Sequence, residues 1–323
     1  MSKFNSKNGH DRQEDWDLWL ERYRSDLELR GMRPRTIKDR TWLVSRFFTW
    51  CRPLSIESPH QMTLDILVDY RRFRVGYVNE RGRRDTAFTI NSHVLALRDF
   101  FKVLADRGAV PSALLSALKY MKEPKLLPKF TPSHQKVMKL LSTVPVDTPL
   151  RVRDRAILEV FYSSAIRREE LANLSLYDLD IEGGLVCVKN GKGGKDRMAP
   201  IGAHAVQWLK RYLEAARPTL MGRNDEHGRV FVSKSGRPMH PNQVGIVVKR
   251  WGRVAGFEKS VGPHALRRSC ATELIRAGAN LGHVKDILGH EDYSSLKSYV
   301  QLAAVDLKEA LRKFHPRERG NRD

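Results

Sequence analysis

Four short stretches in the second half of the chain carry residue types that can do phosphoryl chemistry. The first, in FYSSAIRREEL, is Arg167-x-x-Glu170. Residues three apart on a helix share a face, so the carboxylate of Glu170 can orient the Arg167 guanidinium toward a cleft. Alone, the pair reads first as a surface salt bridge. The second is Gly191-Lys192-Gly193-Gly194-Lys195. Glycines let the backbone approach a partner closely, and a lysine there can reach a phosphate or a leaving group; the plain alternative is a solvated basic turn. The third is Pro263-His264-Ala265-Leu266-Arg267. Proline suits the first turn of a helix, which puts His264, a proton carrier near neutral pH, beside the fixed cation and planar fork of Arg267. Taken singly, the His-x-x-Arg pattern is weak and His264 reads first as a capping or core histidine. The fourth is Leu288-Gly289-His290, followed nine residues later by Tyr299. Gly289 should end a helix that starts near Asn280, and Asp292, Ser294 or Ser295 can cap the next one. A single tyrosine is commonly core, and Tyr293 competes with Tyr299 for any chemical role.

These groups need elements to position them. Residues 15–31 carry Trp16, Trp19, Leu20, Tyr23 and Leu27 at helical spacing, closed by Gly31. Pro34 and Thr36 open a second helix with Trp42, Leu43, Phe47 and Phe48 expected on its inner side. A third pattern begins near Thr63. A fourth, after the basic stretch ERGRRD, carries Val94, Leu97, Phe100, Phe101 and Leu104 and stops at Gly108. Residues 1–121 therefore read as a basic helical bundle. Residues 122–135, with three prolines and little periodicity, read as a linker, and residues 136–323 as a second domain. That domain is mixed. Helical patterns at 135–143 and 151–162 precede a strand-like run, Gly184 to Lys189, joined through Asn190-Gly191 to a second, Met198 to Ile201. Helical patterns resume at His204 and run to about Lys313, interrupted by a short strand at Arg229–Val232. The fold expected is mainly α with a small β-sheet.

Composition narrows the partner. Lysine and arginine number 58 against 37 acidic residues in 323, a formal net charge of +21 and a pI near 10.1, with 41% apolar residues. That imbalance calls for a polyanion, with nucleic acid ahead of an anionic membrane. No apolar run approaches the ~20 residues of a spanning helix, and the first residues show no secretory signal. Cys51, Cys187 and Cys270 are odd in number and widely spaced with no CxxC pattern, which argues against a disulfide framework or a zinc site and fits a reducing cytoplasm. The P-loop pattern GxxxxGK[ST] is absent.

Arg, Lys, His-x-x-Arg, His and Tyr, in that order between Arg167 and Tyr299, resemble the active-site series of the tyrosine recombinase family, the Xer-type recombinases and phage integrases in particular. FYSSAIRREELANL, KNGKGGKDRMAPI, PHALRRSCATEL and LGHEDYSSLKSYV each look like the family's corresponding segments. The first part is more loosely similar to the family's N-terminal core-binding domain. Two departures are Ala165, where many Xer relatives carry glycine, and Arg268, after the HxLR arginine.

The resemblance implies a helical core-binding domain joined to a recombinase catalytic domain. It also implies roles: Tyr299 as nucleophile on a backbone phosphate, Arg167, Arg267 and His290 stabilising the transition state, Lys192 as general acid and His264 assisting proton transfer. It implies a 3′-phosphotyrosyl intermediate and no ATP or metal cofactor. The expected partner is double-stranded DNA, bound by a homo- or hetero-tetramer on two recombination sites, with a partner recombinase or accessory protein open. The segment Ala303–Phe314, with Val305, Leu307, Leu311 and Phe314 near helical spacing, fits packing on a neighbouring subunit and equally an intramolecular closing helix. No extra arm-binding domain is expected ahead of the first bundle, an expectation that favours dimer or cointegrate resolution over lambda-type integration. A type IB topoisomerase and a catalytically silent DNA-binding regulator on the same fold are the rival readings.

Overall fold

The computed structural model describes residues 16–124, 130–189, 196–222, 227–289, 293–296 and 299–300. The chain divides into two compact units, Met1–Lys125 and Leu126–Asp323.

The first unit holds α1 (Trp16–Leu29), α2 (Pro34–Cys51), α3 (Leu64–Gly76) and α4 (Ala87–Asp106). Local chemistry sets their ends. Gly31 turns the chain out of α1 at φ +66°, and the hydroxyls of Thr63 and Thr86 cap α3 and α4 by accepting from the Ile66 and Thr89 amides. The core is a stack of rings. Trp16 lies on Phe48 with centroids 4.7 Å apart, and Phe47 meets Tyr70 edge-on at 4.8 Å. Burying each ring is worth roughly 1.5–3 kcal/mol. Trp42 departs from expectation: it is 58% exposed. The buried stripe of α2 runs through Ile37, Thr41, Val44, Phe47, Phe48 and Cys51, leaving Trp42 on the flank, where Arg46 covers it.

The second unit is built around α6 (Pro149–Ser164), whose Ala156, Ile157, Leu158 and Val160 are fully buried. Around it stand α5 (His134–Ser142), α7 (Arg168–Asn173), α8 (Ala203–Arg211), α9 (Arg217–Met221), α10 (Pro241–Val254), α11 (Pro263–Arg276) and α12 (Leu281–Leu288). A π-helical turn, Tyr212–Ala216, joins α8 to α9. The three antiparallel strands β1 (Leu179–Asp180), β2 (Leu185–Val188) and β3 (Arg197–Pro200) lie in the order β1-β2-β3, with Val186 opposite Ala199 and Val188 opposite Arg197.

The strand expected at Arg229–Val232 is not one. Only isolated bridges form there, Ser175 with Arg229 and Val232 with Pro238. The segment is buried, and apart from the Val230 amide, which donates to Leu174 O, and the Phe231 carbonyl, which accepts from the Met239 amide, side chains take up much of its backbone. Arg217 donates to the Arg229 carbonyl, the Tyr212 hydroxyl to that of Val230 at 3.0 Å, and Arg153 to that of Val232 at 2.9 Å. With those acceptors occupied, a ladder has little left to pair. Part of the expected linker is equally well held. The Ser269 hydroxyl donates to the Pro132 carbonyl at 2.7 Å, and Arg268 donates to Phe130 O at 2.8 Å. That gives the second departure, Arg268, a structural task.

Asp154, on α6, is 1% exposed; it accepts from Arg153 and, at 2.9 Å, from the Trp251 indole of α10. Removing it strands a buried cation and an indole donor. Asp154→Ala should therefore cost about 3–5 kcal/mol in chemical denaturation of the second unit; a loss below about 1 kcal/mol contradicts this packing role.

Candidate functional site

The site forms where three helix ends meet: the end of α6, the start of α7 and the end of α12. Helix α6 closes on Ala165 in the left-handed region, φ 48° and ψ 25°, a conformation that costs an L-residue roughly 1–2 kcal/mol. The chain then runs extended through buried Ile166 to Arg167, the residue that caps α7. Glu170 turns back on it, accepting from the Arg167 amide at 2.7 Å and from its Nη1 at 2.8 Å. The Arg167 Nη2 reaches the Gly289 carbonyl at 2.9 Å.

Arg267, on α11, is 4% exposed and is oriented by carbonyls as well, donating to Ala165 O and to Leu288 O. The two arginines thus share the last turn of α12, Arg267 on Leu288 and Arg167 on Gly289. Carbonyls at a helix C-terminus carry negative partial charge and suit cations. Gly289 ends α12 at φ +60°, and a Cβ there would stand 2.5 Å from the Arg197 Nε. Glycine is required on both counts.

Arg197 is the residue that sequence reasoning missed. From the first position of β3 it grips Glu170 with both prongs, Nη1 to Oε1 at 3.0 Å and Nη2 to Oε2 at 2.8 Å. Burial pushes the Glu170 carboxyl up, but hydrogen bonds from Arg197 and from the amide and side chain of Arg167 outweigh it and hold it at about 2. Burial, then the charge of Arg167, presses Arg267 down to about 10, against the opposing pull of Tyr299 and Glu170. It remains a cation at neutral pH.

Tyr299 is half-buried against the apolar cluster of Cys270, Ala271, Ile275, Val284, Leu288 and Leu296. Burial lowers Arg268 as it does Arg267, and the Tyr299 phenol lies near enough to both to oppose that lowering. Tyr293 is placed differently. It is 56% exposed, with the Lys285 ammonium 5.1 Å from its ring centre, and its hydroxyl sits by Gly282 at the start of α12. Seven residues of helix, roughly 10 Å, separate that point from Gly289. His264 occupies the first turn of α11, one turn before Arg267, and is exposed. The structure therefore brings Arg167, Arg267 and Tyr299 together with His264 on the same helix as Arg267; Lys192 and His290 lie outside the described residues. Among the described residues no three His, Cys, Asp or Glu side chains gather as a metal ion requires. What the geometry offers is converging guanidinium groups beside a phenol, an arrangement suited to a phosphate.

Residues 133–305 match the model of the phage integrase family. The chain is 34% identical over 298 residues to tyrosine recombinase XerC 2 of Ralstonia nicotianae, covering 92% of this chain and 85% of that protein. It is 35% identical over 305 residues to tyrosine recombinase XerD of Proteus mirabilis, covering 93% and 90%. Among solved structures, a lambda integrase tetramer bound to a Holliday junction aligns with a TM-score of 0.67 at 17% identity, over 90% of this chain and 78% of that one. XerH bound to its palindromic substrate aligns with 0.66 at 19% identity, over 94% and 90%. At these identities the structures speak for the fold.

The Arg167–Glu170–Arg197 bridge has a pH signature. A carboxyl lowered in the folded state adds stability that is fully present above its ordinary value near ~4.3 and is lost as pH falls through about 2. Urea denaturation at a series of pH values should show Glu170→Gln less stable at neutral pH by on the order of 3 kcal/mol. That gap should close between about pH 4 and pH 2. A gap that does not change with pH would show that the carboxylate charge is not what binds the two arginines.

Proposed function

The chain belongs to the phage integrase family of tyrosine recombinases, and we propose that it breaks and rejoins DNA by attack of Tyr299 on a backbone phosphate gripped by Arg167 and Arg267. The observation that carries this reading is the pair of guanidinium groups oriented by neutral carbonyls, with the Tyr299 phenol in electrostatic contact with one of them. In the proposed step the phenolic oxygen bonds to phosphorus and the bond to the 5′ oxygen breaks. The product is a 3′-phosphotyrosyl link and a free 5′-hydroxyl. His264 assists loss of the phenol proton, and Lys192 supplies the proton taken by the leaving oxygen. Arg167, Arg267 and His290 stabilise the charge that develops on the non-bridging oxygens, each such donor being worth on the order of 10²–10³ in rate. Because the tyrosyl ester conserves the energy of the broken linkage, attack by a 5′-hydroxyl on it closes the strand by the reverse of the same step. The relatives are named as recombinases, so the topoisomerase and silent-regulator readings are not favoured.

The test uses a pool of nicked duplexes from which the cleaved end diffuses away, trapping the covalent product. Tyr299→Phe should yield no adduct while Tyr293→Phe still does; the opposite result assigns the nucleophile to Tyr293. On the same pool Lys192→Ala should be defective with a 5′ oxygen leaving group and rescued by a 5′ sulfur, since a thiol of pKa near ~8.5 leaves without a proton. Failure of the sulfur substrate to rescue removes Lys192 from the general-acid role.

For assembly we propose a tetramer on two sites, working in the cytoplasm on dimer or cointegrate resolution or on integration of a mobile element. An apolar cavity of about 770 Å³, lined by His134, Met138, Leu141, Tyr162, Cys270 and Leu274, would take the Ala303–Phe314 segment of a neighbouring copy. That segment lies outside the described residues. A chain ending at Leu302 should keep the covalent adduct but lose the complex joining two duplexes on a native gel. If it still joins them and only melts earlier, the segment closes its own subunit instead.

A further inference from the structure

The segment Tyr77–Asp85, reading YVNERGRRD between α3 and α4, folds as a tight hairpin. Val78 and Arg84 bridge antiparallel. The Asn79 amide donates to Arg83 O and the Gly82 amide to Asn79 O, each at 2.9 Å. The Asn79 side-chain oxygen accepts from the amides of Arg81 and Arg83 at 3.0 and 3.1 Å, and Gly82 supplies φ +69°. The base is clamped by an Arg74–Asp85 ion pair whose side chains are 7% and 9% exposed, with the Arg74 guanidinium 4.5 Å from the Tyr77 ring centre. A buried ion pair adds little net stability over an apolar pair and is best justified by the single geometry it imposes.

That geometry presents Arg81, Arg83 and Arg84, all exposed. Among the described residues none of the three guanidinium groups takes part in a hydrogen bond or ion pair. Glu80 is the one acid on the tip, since Asp85 is engaged by Arg74. Three cations held on a pre-ordered turn lose little entropy when they meet an anionic rod. A second copy of a chain with net charge +21 would repel them.

We infer that this hairpin is a dedicated contact for the sugar-phosphate backbone of duplex DNA, supplied by the first unit and separate from the phosphate on which the chemistry occurs. The inference rests on the recombinase reading. Its contribution is sequence-independent, because phosphate contacts fix register and orientation without reading bases.

The test is the salt dependence of binding to random-sequence duplex DNA. The slope of log affinity against log salt changes by about 0.9 for each phosphate neutralised. Replacing Arg81, Arg83 and Arg84 together by alanine should therefore flatten the slope by about two to three, with an unchanged melting temperature because all three side chains are exposed. Replacing them by lysine should restore it. An alanine variant with the parent's slope overturns the contact, and a lysine variant as flat as the alanine one shows that the hairpin's shape, not its charge, was lost. Covalent adduct formation by the parent protein is read separately. Its absence sinks the recombinase reading, whereas an unaltered slope in an adduct-forming protein sinks the hairpin contact alone.

Discussion

Two guanidinium groups proposed to grip one phosphate repel each other until a phosphate arrives, and the architecture around Arg167 and Arg267 answers that repulsion. At an effective dielectric near 20, two like charges 4 Å apart cost on the order of 4 kcal/mol. A carboxylate placed directly on each arginine would cancel the charge and remove the reason for having them. The fold uses neutral acceptors for most of the holding: Ala165 O and Leu288 O for Arg267, and Gly289 O for Arg167. Carbonyls fix direction and temper the repulsion while leaving the net charge available to substrate. The one carboxylate in the group, Glu170, is divided between Arg167 and Arg197, so its charge is shared with a residue that lies behind the site.

This arrangement explains why helix termini crowd here. Main-chain carbonyls are free of intrahelical partners only at a helix C-terminus, so a site built on carbonyls needs such ends. Helices α6 and α12 provide them, each closing in the left-handed conformation, at Ala165 and at Gly289. Gly289 adopts that turn at no steric cost, and any side chain there would displace Arg197. Ala165 adopts it under strain, which the surrounding packing sustains because the residue is fully buried. The strain sits beside the carbonyl that orients Arg267. The apolar cluster beneath α11 and α12 then carries Tyr299 to the same place.

Much of this was legible in the sequence, for reasons that can be named. The helices of the first unit announce themselves through ring spacing and through Gly31 and Thr63, whose local chemistry sets their ends, whereas the Thr86 cap of α4 emerges only in the structure. Leu288-Gly289 marked the end of α12 because glycine at that position has a conformational meaning. The errors have equally physical causes. Trp42 borders the apolar stripe of α2, and helical spacing alone does not say on which side of the border a tryptophan falls. Val230, Phe231 and Val232 form an apolar run that resembles a strand, yet distant side chains, those of Arg153, Tyr212 and Arg217, occupy its carbonyls. The two residues of β1 are too few to show a period. Arg197 gave no signal, being one more cation in a basic segment whose partner lies 27 positions away. The carbonyls that orient Arg167 and Arg267 belong to the backbone, which no residue type encodes.

The role proposed for Arg167 and Arg267 is to act on the charge of the non-bridging phosphate oxygens, and the most direct measurement replaces one of those oxygens. A methylphosphonate at the scissile position is neutral but otherwise similar in shape. Cleavage by Arg267→Ala should fall on the order of 10²–10³ below the parent on the ordinary phosphate and by less than about tenfold on the methylphosphonate, where the charge to be balanced is absent. Equal losses on the two substrates would show that the guanidinium serves the fold and not the developing charge, and would contradict the account.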